Sequence, residues 1–308
     1  MKGLELSESY FRSLGFPMLK RNFGDHLDRL AVGLVGDGSE CFRFDDAISR
    51  DHDWGPGFCI WLTRPDYDHF GSELQRAVDD LPRVFAGYGP RKEGVWADQR
   101  LGVFEIRHFY QHFLGLDHVP LDLDEWLMLP EQSLAVCTNG NVFWDPLGDF
   151  SSWRRALLAY YPEDVRKKKI AARCMTIGQA GQYNFPRCSR RGDILSARYA
   201  EIKFCADVIS VIFLLNRRYT PFYKWMHRAA KDLPILGPWI YDRISELITT
   251  SDFSPKEHLI ETICAELIHA LERQELTTLT SSFLPDHGPT ILGGIQDADL
   301  RTRNVWVG

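Results

Sequence analysis

Two aspartates separated by one residue could hold a divalent cation. Asp51 and Asp53 flank His52, and on a strand this spacing points both carboxylates to the same face. Neighbouring carboxylates repel each other unless a cation neutralises them. Mg²⁺ prefers such oxygen ligands and completes its coordination with waters and substrate phosphates. A D-x-D by itself is more often a pair of solvated loop acids, so this pattern needs support from its surroundings.

A glycine-rich turn before these aspartates could hold phosphate. The apolar segment 31–35 predicts a short strand, and Gly36-Asp37-Gly38-Ser39 follows it. Gly38 and Ser39 would offer open backbone N–H groups and a hydroxyl to phosphate oxygens. A Gly-Ser turn alone is also a weak signal. Strand, turn and D-x-D together predict a site for a metal and a triphosphate.

A later predicted strand also carries a carboxylate. Residues 101–109 alternate between apolar and polar types, and Glu105 lies on the polar face. Arg107 shares that face, so the alternative is an ordinary surface ion pair. Asp98 is the reserve candidate.

The segment from Gly38 to Gly55 resembles the nucleotidyltransferase superfamily related to DNA polymerase beta. That superfamily has an apolar strand, Gly-Gly or Gly-Ser, a spacer and D-x-D. The string Ile48-Ser49-Arg50-Asp51-His52-Asp53-Trp54-Gly55 looks like one bacterial branch, in which a helical domain of unknown function follows the nucleotidyltransferase domain. The resemblance extends through Trp126-Leu127 and the region 216–225.

The resemblance implies roles for individual residues. Gly38 and Ser39 would hold the triphosphate, Asp51 and Asp53 would bind Mg²⁺, and Glu105 would be a metal ligand or the base for the acceptor hydroxyl. His52 departs from the pattern, because members usually have an apolar residue there. We expect His52 to be a hydrogen-bonded core residue rather than a catalytic one.

The second half of the chain offers further nucleotide contacts. A lysine could meet a β- or γ-phosphate, and a tyrosine could stack on the base. The alternative is strong, since aromatic residues at helical spacing are usually core and single basic residues are usually solvated. The candidates are Arg191, Asn216, Tyr219 and Lys224.

Two other clusters favour ordinary structural interpretations. The run 166–169, Arg-Lys-Lys-Lys, could attract RNA, but it lacks interleaved aromatics and we expect a solvated helix face. His108 and His112 are four residues apart, as in a helical metal site. They lack an accompanying Glu, and their segment is expected to begin as a strand.

The elements that position these residues predict an α+β protein. Residues 1–148 mix helices and strands, as in a nucleotidyltransferase-type mixed sheet with flanking helices, and residues 149–308 have helical periodicity over most of their length, as in an all-α bundle. A bent strand over 50–62 is expected to break at Gly55-Pro56-Gly57. The tail after about residue 285 shows no clear period, and we expect it to be strand-like or loose. The predicted helices are 150–161, 162–179, 193–216, 221–231, 239–249 and 255–272.

Composition excludes several classes of protein. The 308 residues are 44% hydrophobic and 13% aromatic, which excludes extensive disorder. No run of about 18 apolar residues predicts a membrane span, so we expect a cytoplasmic protein with no membrane partner. Seven scattered cysteines without C-x-x-C spacing predict reduced thiols and no zinc finger.

Charge also limits the partners. The net charge is -6 and the isoelectric point is near 5.9, so duplex nucleic acid is an unexpected partner. Acids exceed bases in residues 1–150 and bases exceed acids in the remainder. The two halves could hold a metal-bound polyphosphate between them, or could simply be two independently solvated surfaces.

The resemblance thus predicts a Mg²⁺-dependent nucleotidyltransferase with an NTP donor, ATP being expected, and a small-molecule or protein acceptor hydroxyl. The alternative is a nucleotide-binding regulatory or antitoxin-like module that keeps the fold without transfer. An RNA-modifying protein ranks last because of the acidic isoelectric point.

Overall fold

The chain forms two compact units. The computed structural model describes residues 1–91 and 100–308. Unit 1 comprises Met1–Pro120 and Ser133–Ala159, and unit 2 comprises Leu121–Gln132 and Tyr160–Gly308. The domain boundary predicted after residue 148 therefore falls inside unit 1. The short segment Leu121–Gln132 belongs to unit 2.

The described residues contain four strands and fifteen α-helices. The strands are β1 (Ala31–Leu34), β2 (Cys59–Leu62), β3 (Gly102–Glu105) and β4 (Asn141–Trp144). The helices are α1 (Gly3–Tyr10), α2 (Phe16–Asn22), α3 (Arg64–Asp79), α4 (Ile106–Leu114), α5 (Leu123–Met128), α6 (Glu131–Thr138), α7 (Asp149–Leu158), α8 (Glu163–Ile177), α9 (Phe185–Arg190), α10 (Ile194–Leu215), α11 (Tyr223–Ala230), α12 (Gly237–Thr249), α13 (Phe253–Arg273), α14 (His287–Gly293) and α15 (Ala298–Thr302).

The four strands form one mixed sheet in the order β3-β2-β1-β4. β1 runs antiparallel to both β2 and β4, while β2 and β3 are parallel. Val32 lies opposite Ile60, and Ile60 lies opposite Val103. The predicted α+β class, with a mixed sheet followed by a helical region, is confirmed.

Alternation along β2 supplies a core on each face of the sheet. Ile60 and Leu62 join Val32 in the cluster that packs against α1, α2 and α3. Trp61 points the other way, with its ring 3.8 Å from that of Phe150 in α7 and 5.3 Å from that of Phe109 in α4. The sheet is thus covered on both faces, and β1 is buried at every position.

The predicted strands around the candidate acids are wrong in their extent. Asp51 and Asp53 lie in a loop, and β2 begins only at Cys59. Gly55-Pro56-Gly57 separates them, because Pro lacks an N–H for the ladder and both glycines have positive φ. The segment expected as one strand over 101–109 divides after Glu105, where α4 begins.

Unit 2 is built around α10. This 22-residue helix is apolar on nearly every side in its second half, so neighbouring helices can cover it completely. α8 and α9 both pack on it. None of the helices in the described ranges is long and apolar enough to cross a membrane.

The basic run in α8 is not a solvated face, so that prediction is wrong. Arg166, Lys168 and Lys169 are buried. Arg166 pairs with Glu163, while Lys168 donates to the backbone carbonyl of Asn304 at 2.6 Å and to that of Val307. Glu163 lies one turn earlier in α8, whereas Asn304 and Val307 lie far along the chain. The sequence of the basic run therefore does not indicate that it is buried.

The chain beyond residue 285 is also helical and buried. Ile291 of α14 and Leu300 of α15 are each about 1% exposed, and both helices pack on α8. Both helices are short, and α14 contains two glycines and a proline, so the sequence shows little helical apolar spacing there. The expected loose or strand-like tail is therefore wrong.

Candidate functional site

The turn after β1 is held by an asparagine from the other end of unit 1. The Gly36 N–H donates to Asn139 Oδ1 at 3.1 Å, and Asn139 Nδ2 donates to the Gly36 carbonyl at 2.6 Å. A Cβ on Gly38 would collide with Arg100 and Glu40. Glycine at position 38 therefore lets the charged ends of these two side chains lie against the turn.

A buried aspartate anchors the loop that carries the D-x-D. Asp45 Oδ2 accepts the backbone N–H of Gly3 at 2.8 Å and the indole N–H of Trp54 at 3.1 Å. These bonds attach the loop to the start of α1 and to its own downstream end. The loop is thus fixed although it has no partner strand.

The two aspartates of the D-x-D occupy different environments. Asp51 is exposed and pairs with His52, whose Nδ1 lies 2.7 Å from Asp51 Oδ1. This hydrogen bond lowers the pKa of the Asp51 carboxyl. His52 is itself exposed, so its expected place in the core is wrong: the turn at Gly55 lies beyond it, and no strand carries it inwards.

Asp53 points into a charged cluster. Its φ is +52°, a left-handed conformation that Asp tolerates better than most residues. Its side chain is 14% exposed, and Oδ2 accepts from Arg100 Nη1 at 3.0 Å. Its carbonyl oxygen accepts from Arg91 Nη1 at 2.6 Å. Asp53 is thus engaged by two arginines.

The same arginines engage two more acids. Arg100 Nε lies 3.4 Å from Asp37 Oδ1, and Arg100 Nη2 lies 3.8 Å from Glu40 Oε1. Arg91 Nη1 lies 2.9 Å from that Glu40 oxygen. Among the described residues, Arg91 Nε and Nη2 have no hydrogen-bond partner. Buried opposite charges therefore surround the turn.

A cavity of about 750 Å³ opens beside this cluster, a size that suits a small-molecule ligand. Asp37, Glu40, Asp53, Arg91 and Arg100 form its charged wall. The rest of the lining comes largely from β3 and α4. It carries aromatic rings and imidazoles, namely Phe104, Phe109, Phe113, His108 and His112.

Within residues 1–91 and 100–308, no group of three or more His, Cys, Asp or Glu side chains is arranged to hold a metal ion. Asp37, Glu40 and Asp53 nevertheless all contact one cation, the Arg100 guanidinium. The donor chemistry fits Mg²⁺, which needs only one or two protein carboxylates when phosphates supply the remaining oxygens. In this structure, however, the three carboxylates are spaced to contact the guanidinium of Arg100.

Glu105 is an N-cap, which the sequence did not indicate. Its side chain is 4% exposed, and its two oxygens accept the backbone N–H groups of Arg107 at 3.0 Å and His108 at 2.8 Å. It lines a second cavity with Thr63 and Asp149, and is absent from the wall that holds Asp53. Both carboxylate oxygens of Glu105 already accept hydrogen bonds from the first turn of α4. A role as metal ligand or base would therefore compete with capping of the helix. Arg107 lies in α4 and contacts Glu105 through its backbone N–H, so the two residues do not share one face of a strand.

The nucleotide candidates of unit 2 have mostly structural surroundings. Asn216 closes the end of α10, and its side chain exchanges hydrogen bonds with the backbone of Ile235 at 2.8 and 2.9 Å. Tyr219 is buried, with its ring 4.9 Å from that of Tyr160. Lys224 is exposed over the Trp225 ring, and Arg191 is exposed at the end of α9.

Of the predicted site residues, the structure brings Gly38 and Asp53 together around Arg100. Ser39 is half-buried in the same turn, and Asp51 lies one residue before the cavity-lining His52. Asp98 lies outside the described residues. Sequence reasoning missed Glu40, Arg91 and Arg100. Glu40 directly follows Gly38-Ser39 and could have been found, whereas the arginines belong to no motif.

Comparisons with known proteins place the chain only broadly. The family model for a domain of unknown function, DUF4037, matches residues 126–226. A crystal structure of a nucleotidyltransferase-like protein from Exiguobacterium sibiricum matches with 11% identity and a TM-score of 0.36. That match covers 87% of this chain and 76% of the other, and a score of this size does not assign a fold by itself. No curated protein matches the sequence.

Proposed function

We propose that the cavity of unit 1 is the active site of a Mg²⁺-dependent nucleotidyltransferase. It would transfer an NMP from an NTP, with ATP as the expected donor, to a hydroxyl of a small molecule or protein. The observation that carries the proposal is the charged wall. There, the turn after β1, with its Asp37 and Glu40, meets Asp53 and two arginines beside a cavity large enough for a ligand.

Each part of the reaction has residues that suit it. The acceptor oxygen bonds to the α-phosphorus as the bond to the pyrophosphate oxygen breaks, and pyrophosphate leaves. Backbone N–H groups at Gly38 and Ser39, with Arg91 and Arg100, suit the triphosphate. The imidazoles lining the cavity are the available bases for the acceptor's proton, at His52, His108 and His112.

Asp51 and Asp53 are the residues we assign to Mg²⁺. When bound, the ion would stabilise charge on the phosphate oxygens. Asp53 lies on the cavity wall, and Asp51 is exposed on the same loop, where its carboxylate pairs with His52. Asp51 can thus turn towards an incoming cation at little cost, because solvent already surrounds it.

Binding is tested first, by thermal-shift titration with each of the four NTPs, with and without Mg²⁺. A ligand that binds only the folded protein adds about 2.7 kcal/mol of stability at a hundredfold excess over Kd. We expect a Mg²⁺-dependent rise in Tm for one NTP. Pyrophosphate release is then measured with candidate acceptors, namely polyhydroxylated small molecules and peptides containing Ser, Thr or Tyr.

The aspartates have a matched control in the same unit. Asp117 is also exposed and pairs with its neighbour His118, with 3.0 Å between Oδ1 and Nδ1, but it lies away from the charged wall. We expect Asp51→Asn and Asp53→Asn to lower Mg²⁺-dependent transfer by about 100-fold or more, since even outer partners of a metal commonly matter 10- to 100-fold. Asp117→Asn should behave as wild type. Unchanged transfer in both site variants would overturn the proposal.

One observation favours a second candidate, a nucleotide-binding module without transfer. Glu105, the expected third carboxylate, has both oxygens on the start of α4. This module would show the Mg²⁺-dependent rise in Tm but would release no pyrophosphate with any acceptor tested.

A further inference from the structure

Arg100 contacts Asp53, one of the two aspartates that the proposed function assigns to a metal. One guanidinium contacts three carboxylates through three different nitrogens: Asp53 at 3.0 Å, Asp37 at 3.4 Å and Glu40 at 3.8 Å. Its side chain is only 21% exposed. These acids therefore share a cationic partner in the protein without any ligand.

Arginine and a divalent cation cannot use these acids at the same time. Mg²⁺ needs oxygens at about 2.1 Å around a small ion. A planar guanidinium holds its partners apart, on nitrogens that point in different directions. An ion bound to Asp53 would also bring a second positive charge against Arg100, so one cation must leave before the other binds.

The surroundings make Arg100 the cation that can leave. Glu40 is buried but retains Arg91, whose Nη1 lies closer to it at 2.9 Å. Arg91 is the more fixed of the two, since its side chain is 9% exposed and also donates to the Asp53 carbonyl. Asp37 is 62% exposed and can be solvated. Asp53 is 14% exposed and also loses Arg100, and the incoming ion replaces the guanidinium there.

We propose that Arg100 is an exchangeable counter-ion of the cavity. In the free protein it is an ion-pair partner of Asp37, Glu40 and Asp53; when a divalent cation binds Asp53, the Arg100 guanidinium binds oxygens of a polyphosphate. Arginine suits both states, because its planar fork matches carboxylate and phosphate alike. The inference deepens the proposed function, since it assumes that a metal and a polyphosphate enter this cavity.

The test separates the two ligands. Arg100→Gln is titrated with Mn²⁺ alone, by calorimetry or by electron paramagnetic resonance of the free ion, and with inorganic tripolyphosphate alone. We expect Mn²⁺ to bind about tenfold more tightly and tripolyphosphate about tenfold more weakly than in wild type, as for the loss of one charge-assisted hydrogen bond. Arg83→Gln, an exposed arginine of unit 1 away from the cavity, should match wild type in both.

A second variant decides the matter if Arg100→Gln does not fold. Asp37→Asn alters an exposed side chain and removes one acid from Arg100. We expect it to bind tripolyphosphate more tightly, because less negative charge holds the guanidinium. Unchanged or weaker Mn²⁺ binding in Arg100→Gln overturns the inference. So does unchanged tripolyphosphate binding in Asp37→Asn, or no tripolyphosphate binding by wild type.

These outcomes are distinct from a failure of the proposed function. If Asp51→Asn and Asp53→Asn abolish transfer while Arg100→Gln changes neither the Mn²⁺ nor the tripolyphosphate affinity, the proposed function stands. The proposal that Arg100 is an exchangeable counter-ion is then wrong. If no transfer occurs but the two affinities shift in opposite directions, the counter-ion proposal stands. The protein then binds the metal and the polyphosphate without transferring a nucleotide.

Discussion

At the scale of single residues, Glu105 shows how one carboxylate can be read as catalytic or as structural. It ends β3 and begins α4 with extended backbone, and it accepts two N–H groups that the first turn of the helix leaves free. A carboxylate also suits the positive end of the helix dipole. The geometry therefore assigns it a capping role.

The capping role predicts how Glu105 variants behave. Glu105→Ala should lower the free energy of unfolding by about 1 to 2 kcal/mol, the usual effect of losing an N-cap. Glu105→Gln keeps one carbonyl acceptor and should lose less. Urea denaturation measures both. Pyrophosphate release by the folded Gln variant should stay within about tenfold of wild type.

A catalytic base would give the opposite pattern. If Glu105→Gln lost transfer about 100-fold at an unchanged free energy of unfolding, the carboxylate would have to leave the cap during the reaction. Asp122 provides a control for the stability effect, because it caps α5 in the same manner, accepting from the Glu125 N–H at 2.9 Å, in unit 2.

At the scale of elements, α10 and α13 of unit 2 are joined by a buried ion pair. Lys256 of α13 is fully buried and donates to Glu201 of α10, which is 1% exposed. Glu201 also accepts from Arg198, one turn earlier, at 3.0 Å. A buried pair of this kind adds little net stability, but removing one member leaves an uncompensated charge.

We therefore expect Lys256→Met to lower the free energy of unfolding by about 3 to 5 kcal/mol. The double variant Lys256→Met, Glu201→Leu should recover most of that loss, because no buried charge remains and the apolar side chains fill similar volume. Urea denaturation of the single and double variants forms the comparison. Equal destabilisation of the two would mean that the packing of Lys256, and not its charge, stabilises the contact.

Elements with strong local signals were predictable from the sequence. Apolar spacing at three and four residues predicted α8, α10 and α13 to within a few residues of their observed bounds, and the short apolar run predicted β1. The Gly-Ser turn and Asp53 were found because their neighbours in the chain also surround them in the fold. Local sequence determines such features, since the interactions that define them are local.

Features that depend on distant partners were not predictable. Arg166, Lys168 and Lys169 look solvated until Gln274 and Asn304 are brought to them, and Arg100 has no motif although it contacts three acids. His52 was expected in the core because the strand was expected to reach it. Burial of charge is decided by the tertiary fold, and a single sequence carries little trace of it.

At the scale of the whole molecule, burial controls the reactivity of the seven cysteines. All seven are free thiols, and six are buried. Burial raises the pKa of Cys59, Cys174 and Cys205 to about 12, and it raises the pKa of Cys41, Cys137 and Cys264 as well. The thiolate is the reactive form, so at pH 8 these six are both protonated and shielded. Cys188 alone is partly exposed.

The native protein should therefore titrate as one fast thiol with an aromatic disulfide reagent at pH 8, and as seven after guanidinium chloride is added. Cys188→Ser should remove the fast reaction and leave the slow reaction of the other six thiols.

The buried thiols also report the unfolding of each unit. Three of them lie in unit 1, namely Cys41, Cys59 and Cys137, and three lie in unit 2, namely Cys174, Cys205 and Cys264. Pulse labelling at increasing urea, read by mass spectrometry, therefore follows the two units separately. Two or more fast thiols in native Cys188→Ser protein would show that a unit opens well below its unfolding transition, since buried thiols react only through such openings.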